Sequence, residues 1–315
     1  MKVIIRTPNW LGDAVFNLPF IIEVSKRHDI SIVTKETLRD LFWGFPVITF
    51  KSNSELYKKH LNLWKQYDYY IVTPISFSSA LAAFLSGTPK RIGFSFDARD
   101  FLLTKRIKIP KDWKERHTTE TYALLYQDLI EIKEVKFELE IPEKFQASAL
   151  EILKNSGLIN EPYVCFSPFA QFGRAKEWGE ENFIELGKIL LKHGIKSVIL
   201  GGKGDLERSK VFKGENFVNL TGKTSLWEAA AIAKKSLAFI GGDSGLTHLS
   251  AIIGAKTIAI FGPTPLSWTR PMGKNAIVLY KKLKCSPCEQ RECPLGTKEC
   301  MKSVKPEEVF GVIRE

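Results

Sequence analysis

A glycine-rich stretch in the last third of the chain has the residue types of a phosphate-binding turn. Residues 241–263 read GGDSGLTHLSAIIGAKTIAIFGP. The first glycines interrupt an apolar run, and Asp243 or Ser244 can cap a helix that continues to Ile253. Free backbone N–H groups and the positive end of a helix dipole both favour an anion at such a turn. The pattern predicts a bound sugar nucleotide.

Two other segments carry charged groups in places where chemistry is feasible. In PNWLGD, residues 8–13, Gly12 permits close backbone approach and Asp13 falls at the predicted N-cap of a helix. Spacing alone favours a capping carboxylate, although an aspartate at the end of a strand is also well placed as a general base. Lys176 follows a glycine and precedes a helix, which fits a phosphate ligand or an ordinary exposed lysine.

A third loop, LGGKGDLER at residues 200–208, loosely matches a dinucleotide-binding fingerprint. It lacks the third glycine, so the match is weak. Within it, Glu207 fits two roles equally: a carboxylate that accepts from both ribose hydroxyls, or a first-turn glutamate with no ligand.

The C-terminal tail contains closely spaced cysteines. Cys285, Cys288, Cys293 and Cys300 have the spacing C-x2-C-x4-C-x6-C. Thiolates in one short segment make a weak candidate for a structural zinc or iron–sulfur site. The second C-x2-C of a zinc ribbon is missing, so the spacing predicts no metal firmly.

Composition and charge restrict the class of protein. A chain of 315 residues exceeds the usual size of a single core, which predicts two domains. The formal charge of +11 fits an anionic partner or a solvated basic surface. The basic run at 105–116 has no nucleic-acid-binding signature, so we expect no nucleic-acid partner, whereas a membrane surface or an acidic glycolipid fits. The N-terminus has no signal-peptide pattern, which predicts a cytoplasmic protein.

Apolar runs and helical periodicity alternate along the whole chain. The pattern predicts an α/β fold with two doubly wound parallel-sheet domains, 1–150 and 151–304, and a cleft between them as the active site. Predicted strands are 3–5, 30–33, 47–50, 69–72, 163–166, 197–200, 217–219, 237–240 and 257–261. Predicted helices are 14–24, 54–66, 78–85, 118–132, 180–193, 225–233 and a C-terminal helix at 306–314, within the segment 305–315. By analogy, we expect this last helix to pack back on the N-terminal domain.

Taken together, these blocks resemble glycosyltransferase family nine, the bacterial ADP-heptose:lipopolysaccharide heptosyltransferases, and most of all its heptosyltransferase II branch. The resemblance rests on PNWLGDAVFNLP, FAQFGRAKEW, GGDSGLTHLSAIIGAKTIAIFGPT and the tail through Cys300-Met301. It implies a GT-B architecture of two facing Rossmann-like domains. It also implies inverting transfer of heptose from ADP-heptose to the inner-core lipopolysaccharide precursor, with no cofactor and no metal held by a D-x-D motif.

The resemblance also assigns roles to individual residues. Asp13 matches the catalytic base, Lys176 the diphosphate-binding lysine and Asp243 the aspartate that holds the heptose hydroxyls. The donor side is completed by Ser244, Gly245 and His248 in the turn, by Glu207 near the ribose and by Thr224 near the adenosine.

The acceptor side has no motif that we can match. We assign Gly12, Lys105 and Arg106 to it, with a solvated basic surface as the equal alternative for the two cations. A lipid-anchored acceptor implies a peripheral position at the inner membrane. The competing functions are heptosyltransferase I, another GT-B nucleotide-sugar transferase and a non-enzymatic nucleotide-binding module, the last of which would not need Asp13.

Overall fold

The chain forms two units. The computed structural model describes residues 1–315, except for the side chain of Asp97. The units are Met1–Lys136 and Phe137–Glu315. The predicted boundary at 150/151 therefore lies inside the second unit, because the helix Glu143–Asn155 packs on Leu226–Lys235 of that unit.

The first unit is a six-stranded parallel sheet with the strand order β3-β2-β1-β4-β5-β6. Its strands are β1 (Lys2–Arg6), β2 (Asp29–Lys35), β3 (Val47–Phe50), β4 (Tyr69–Val72), β5 (Lys90–Ser95) and β6 (Lys105–Lys108). Its helices are α1 (Leu11–Ser25), α2 (Asn53–Leu61), α3 (Phe77–Leu85) and α4 (Thr118–Ala123), with 3-10 turns at Glu36–Phe42, Asp97–Leu102 and Ile132–Glu134. The winding reverses between β1 and β4, and ligands of such sheets bind at the carboxyl ends of the strands beside that switch point.

The second unit repeats this plan with the strand order β12-β11-β10-β7-β8-β9. Its strands are β7 (Tyr163–Ser167), β8 (Lys196–Ile199), β9 (Phe217–Asn219), β10 (Phe239–Gly242), β11 (Thr257–Phe261) and β12 (Ala276–Tyr280). Its helices are α5 (Glu143–Asn155), α6 (Glu180–Leu191), α7 (Leu206–Ser209), α8 (Leu226–Lys235), α9 (Gly245–Ile252), α10 (Leu266–Thr269), α11 (Glu299–Lys302) and α12 (Pro306–Arg314). The switch point lies between β7 and β10. Among the described residues, no helix is long and apolar enough to cross a bilayer.

The predicted helix over 118–132 is α-helical only as far as Ala123. After it, the N–H groups of Leu125 and Tyr126 bond to carbonyls three residues earlier, at 3.0 Å each. Such turns repeat every three residues, which still places Leu125, Tyr126 and Leu129 in the core. The apolar spacing was therefore identified correctly, but its assignment to one continuous α-helix was wrong. Strands β5, β6 and β12 were not predicted from the sequence.

The C-terminal helix belongs to the second unit. α12 packs on α6, and its Val309 and Ile313 join the buried cluster around Trp178. Lys256 Nζ also donates to the carbonyl oxygen of Ile313 at 3.0 Å. The sequence led us to expect this helix on the N-terminal domain; in the structure its apolar face is buried within its own unit.

A buried histidine gives the first unit a pH-dependent stability. His60 on α2 donates from Nδ1 to Leu56 O at 2.6 Å and accepts at Nε2 from the Tyr70 hydroxyl at 2.7 Å. Burial lowers the pKa of His60 to about 4. The unfolded histidine binds a proton near pH 6.5, so between about pH 6.5 and 4 only the unfolded state gains that proton. We therefore expect this contribution to be complete above pH 6.5 and to fall by roughly 3 kcal/mol as the pH decreases to 4.

This expectation is tested by comparing the thermal unfolding midpoints of the wild type and His60→Gln at pH 7.5 and pH 4.5. Glutamine does not titrate, so the wild type should lose more stability than the variant on acidification. Equal losses in the two proteins would show that His60 does not titrate as expected.

Candidate functional site

The switch point of the second unit brings a lysine and an aspartate together. β7 leads into the 3-10 turn Arg174–Lys176, and β10 leads directly into Asp243 and α9. Lys176 Nζ donates to Asp243 Oδ2. The side chain of Asp243 is 4% exposed and that of Lys176 is 15% exposed. Residues that lie far apart in sequence thus form one largely buried ion pair.

Asp243 has further partners that keep it ionised. His248 Nε2 donates to Oδ1 at 2.9 Å, since a carboxylate only accepts, and Thr269 Oγ1 donates to Oδ2 at 3.4 Å. Burial by itself would raise the pKa of this carboxyl. The hydrogen bond from His248 and the charge of Lys176 outweigh that effect and hold the pKa of Asp243 well below its usual range. The carboxylate therefore fixes the positions of the three donor side chains, those of Lys176, His248 and Thr269.

The start of α9 supplies backbone donors at the same edge of the sheet. Ser244 is the N-cap, and its Oγ accepts from Thr247 N at 3.5 Å. The N–H groups of Gly245 and Leu246 lie in the first turn, where no intrahelical acceptor is available. Together with the Lys176 ammonium, this positive end of a helix makes a site suited to a diphosphate.

Gly242 is required for the close approach of the lysine turn to β10. A Cβ atom on Gly242 would lie 2.3 Å from the carbonyl oxygen of Lys176. No side chain fits there, because the obstacle is backbone. The absence of a side chain at this position is what allows Lys176 to reach Asp243.

We expect Gly242→Ala to lower the free energy of unfolding by about 2 kcal/mol and to weaken the binding of a diphosphate ligand at this site. The added methyl group must push the Lys176 backbone away. Gly311→Ala is the matched control, because a Cβ there has no neighbour within 4 Å and alanine favours α12. The control should be as stable as the wild type or more so in urea unfolding, and equal stability of the two variants would contradict the packing argument.

Phe172 and Arg291 lie next to Lys176 in this positively charged site. Neither was predicted from the sequence as a site residue. The Lys176 ammonium lies 4.6 Å and the Arg291 guanidinium 5.2 Å from the centroid of the Phe172 ring. The Arg291 carbonyl accepts from Ala175 N at 3.0 Å. The tail that contains the cysteines thus packs against the lysine turn. Arg291 stands between Cys288 and Cys293, in a segment whose residue spacing indicated metal binding.

A second ion-pair network holds this loop to α7. Arg208 donates to both carboxylate oxygens of the buried Glu177, at 2.8 and 2.7 Å, and to Glu180 at 2.7 Å. The Glu177 Oε1 atom also accepts from Ala170 N at 3.1 Å. A buried carboxylate paired in this two-pronged manner rigidifies the loop that carries Lys176. The only sequence features that indicated this ion-pair network were the charged residues in KEW at 176–178 and in LER at 206–208.

The two residues predicted to contact the nucleoside, Glu207 and Thr224, follow neighbouring strands at the same edge of the sheet. Glu207 is on α7 after β8, is 82% exposed and binds Lys210 Nζ through both oxygens at 2.8 Å. Thr224 follows β9 and directly precedes Ser225, the N-cap of α8. Since β8 and β9 follow β7 in the sheet, the two residues lie one and two strands away from the lysine turn.

The switch point of the first unit carries Asp13. The structure places it in the first turn of α1, with Trp10 at the N-cap, so our expectation of an N-cap aspartate was off by one turn. The Tyr122 hydroxyl donates to Asp13 Oδ1 at 3.2 Å. Gly12 lies beside it and is half-buried. The carboxylate therefore has a positioned donor that the sequence did not reveal.

Packing between α1 and α4 fixes this hydrogen bond. The Phe16 and His117 rings meet edge to face at 5.0 Å, and those of Phe20 and Tyr126 stack at 5.3 Å. These α1 residues follow Asp13 at helical spacing, so one face of the helix carries both the carboxylate and its packing contacts.

Tyr122 should therefore act as a positioning residue. Burial and the neighbouring Asp13 charge raise its pKa well above the usual value, so the hydroxyl remains a donor at all working pH values. If Asp13 is the catalytic base that the family resemblance implies, Tyr122→Phe should lower kcat about tenfold, leave the KM for the sugar donor unchanged and move the acidic limb of the kcat/KM profile to higher pH.

Tyr126→Phe is its matched control, because that hydroxyl donates to Asn17 rather than to a carboxylate. This variant should lose stability but keep the wild-type pH profile. If both variants left the pH profile unchanged, the Tyr122 hydroxyl would have no influence on Asp13.

The other predicted acceptor residues lie away from the first switch point. Lys105 and Arg106 are exposed on β6, an edge strand that β4 and β5 separate from β1. Lys105 Nζ forms an ion pair with Asp128 at 2.6 Å. The position of Lys105 and Arg106 fits two roles equally: solvated cations at the edge of the sheet, or contacts to a part of the acceptor that lies far from Asp13.

The tail cysteines are all free thiols. Cys300 is buried, and burial raises its pKa, while Cys293 Sγ accepts from Lys298 N at 3.4 Å. In the part of the chain that the structure describes, no group of three or more histidine, cysteine, aspartate or glutamate side chains is placed to hold a metal ion. The charges of Cys285, Cys288 and Cys293 also raise the pKa of Cys300, so the four thiols lie in one region without forming such a group.

Comparison with known proteins identifies the family. Residues 58–299 match glycosyltransferase family 9 (heptosyltransferase). The chain belongs to glycosyltransferase family 9. As a member of that family it is a glycosyltransferase.

Similarity to individual family 9 members extends over the whole chain. Lipooligosaccharide heptosyltransferase 2 of Campylobacter jejuni is 29% identical over 333 residues, which cover 100% of this chain and 99% of the relative. Lipopolysaccharide heptosyltransferase 1 of Escherichia coli K12 is 31% identical, but only over 33% of each chain. The full-length similarity is thus to proteins named heptosyltransferase 2.

Solved structures establish the fold. E. coli ADP-heptose lps heptosyltransferase II superposes with a TM-score of 0.83 at 24% identity, covering 100% of this chain and 98% of that one. E. coli heptosyltransferase WaaC, solved with ADP-2-deoxy-2-fluoro heptose, gives a TM-score of 0.71 at 20% identity, with 100% and 99% coverage. This family 9 chain therefore has the GT-B architecture of two Rossmann-like units.

Proposed function

We propose that the chain is a heptosyltransferase II, an inverting enzyme that transfers L-glycero-D-manno-heptose from ADP-heptose to the heptose of the inner-core lipopolysaccharide precursor. The observation that carries the proposal is the full-length similarity to enzymes named heptosyltransferase 2. The similarity to enzymes named heptosyltransferase 1 covers only a third of the chain. Heptosyltransferase I is therefore the weaker alternative.

The donor binds at the second unit in this proposal. The diphosphate lies at the start of α9, where it accepts from the backbone N–H groups near Gly245 and from Lys176. Asp243 and His248 face the sugar, while the ribose and the adenosine extend along the sheet edge towards Glu207 and Thr224. Neither a metal nor another cofactor has a role in this arrangement, since Lys176 and Arg291 supply the positive charge.

Asp13 is the general base. It removes the proton from the acceptor hydroxyl as that oxygen forms a bond to the anomeric carbon of the donor heptose. The bond from the anomeric carbon to the diphosphate oxygen breaks, and ADP leaves with the electron pair. Lys176 and the α9 N-terminus stabilise the negative charge that develops on the departing diphosphate. Attack on the face opposite the leaving group inverts the configuration.

The acceptor determines where the enzyme works. A lipopolysaccharide precursor is anchored in lipid, so we propose peripheral association with the cytoplasmic surface of the inner membrane. Gly12 lies beside the base on the acceptor side. Lys105 and Arg106 would contact acidic groups of the glycolipid only at a distance from Asp13.

The test is a transfer assay with acceptors of defined inner-core length. The protein is mixed with ADP-heptose and a precursor that carries no heptose, one heptose or two, and ADP release and product mass are measured. Transfer to the precursor with one heptose is the expected result. Transfer only to the heptose-free precursor would assign heptosyltransferase I, and ADP-heptose binding without transfer to any acceptor would indicate a non-enzymatic module.

A further inference from the structure

Large apolar side chains are exposed at the carboxyl edge of the first sheet. Ile75 and Phe77 follow β4 and are 43% and 48% exposed, and Phe96 and Phe101 follow β5 and are 42% and 72% exposed. We call these four residues the apolar patch. The Phe77 and Phe101 rings contact each other with centroids 6.3 Å apart. Neighbouring exposed rings of this size on a water-soluble surface usually mark a binding surface.

A buried arginine holds the two loops of the apolar patch together. Arg99 is 0% exposed. Its guanidinium donates to the carbonyl oxygens of Pro74 and Ser76, at 2.5 and 3.0 Å, and to that of Phe94 at 2.8 and 3.1 Å. These carbonyls flank Ile75 on one loop and precede Phe96 on the other. Because a buried guanidinium is stable only when its donors are satisfied, the exposed side chains stand on a fixed backbone.

Basic residues border the apolar patch. Lys108 is the last residue of β6 and pairs in register with Ser95, the residue that precedes Phe96. Lys111 follows, and both lysines are exposed. Aromatic rings that stand beside exposed lysines suit the region where acyl chains meet anionic headgroups. The net charge of +11 adds a favourable long-range field.

We propose that the apolar patch, together with Lys108 and Lys111, is the surface through which the chain docks on an anionic phospholipid bilayer. The inference rests on the proposed function, because a lipid-anchored acceptor has to reach Asp13 from a membrane. The loop after β4 lies beside the loop after β1 at the switch point. A bilayer docked on this edge presents the acceptor sugars on the side of the unit where α1 begins.

Vesicle sedimentation with the full-length protein tests the proposal without using its catalytic activity. Vesicles of phosphatidylcholine with about a third of phosphatidylglycerol are compared with pure phosphatidylcholine. We expect binding to the anionic vesicles that weakens in high salt and is at least tenfold weaker on the neutral ones. Absence of binding to anionic vesicles, or equal binding to both kinds, would overturn the proposal.

Variants locate the surface. Phe77→Ser with Phe101→Ser should weaken vesicle binding at least tenfold, and Lys108→Glu with Lys111→Glu should also weaken it and reduce its salt dependence. Leu61→Ser with Leu295→Ser is the matched control, since those side chains are 54% and 62% exposed outside the apolar patch. The control should bind like the wild type, and equal binding by the phenylalanine variant would refute the assignment.

Two further measurements distinguish other occupants. If the wild type is a dimer in solution and the phenylalanine variant is a monomer, a second copy covers the apolar patch and the proposal fails.

Transfer to a delipidated, water-soluble acceptor should be the same in the phenylalanine variant and the wild type. A loss there with vesicle binding intact would assign the patch to acceptor recognition. Failure of transfer in the wild type would reject the proposed function while the vesicle result still stands.

Discussion

Replacing Asp13 with asparagine is expected to lower kcat about a thousandfold while ADP-heptose binds with nearly wild-type affinity. A positioned general base contributes roughly two to four orders of magnitude to a transfer reaction. Asparagine keeps the size of the side chain and can still accept from the Tyr122 hydroxyl, which donates to Asp13 in the wild type. The variant therefore removes the proton acceptor and little else.

The Asp13 experiment needs a control for loss of a carboxylate from α1. Glu23→Gln on the same helix serves this purpose, because Glu23 is buried and pairs with Lys26 at 2.6 Å, away from the first turn. Turnover is measured by ADP release and donor affinity by calorimetry. The control should keep its turnover. A kcat for Asp13→Asn within tenfold of the wild type would exclude Asp13 as the base.

Replacing Lys176 with methionine is expected to damage both stability and donor binding. The substitution leaves the Asp243 carboxylate buried without its ammonium partner. Breaking a buried ion pair in this way lowers the free energy of unfolding by about 3 kcal/mol. The positive charge that would meet the diphosphate is also lost, so kcat/KM should fall at least a hundredfold.

A double variant separates these two effects. Lys176→Met with Asp243→Asn removes both charges, while an asparagine oxygen can still accept from His248 Nε2, as Asp243 does in the wild type. We expect urea unfolding to show most of the stability restored, whereas ADP binding stays weak. Lys176→Arg, which keeps the charge, should retain more affinity than either. Full recovery of ADP binding in the double variant would mean that Lys176 acts on the fold alone.

The elements that could be predicted are those whose signal is local. The bounds of β4, β9, β11 and α12 match their predicted ranges, because a short apolar run between turn residues, or a proline followed by an amphipathic stretch, contains its own boundaries. β6 was missed because its sequence KRIK is mostly charged, and a strand at a sheet edge can be exposed on both faces. The position of β6 depends on its pairing with β5, and such a pairing cannot be read from the local sequence.

Pairings between distant segments could not be predicted in the same way. The sequence singled out Lys176 and Asp243 separately. These residues are 67 positions apart, and they meet only because β7 and β10 are adjacent strands in the sheet. Tyr122 was not singled out at all, because nothing near it in the sequence indicates Asp13, 109 positions away. Arg99 likewise has no sequence feature that distinguishes it from an exposed arginine, because its burial depends on how the loops after β4 and β5 fold around it.

The sequence by itself determined the alternation of strands and helices, the glycine turn before α9 and the residues that resemble family 9. These features depend on short-range periodicity and on residue type. The tertiary structure decided the boundary after Lys136, the packing of α12 on its own unit and the partners of each charged group. Those depend on the order in which six parallel strands assemble, since that order determines which loops meet at the edge of each sheet.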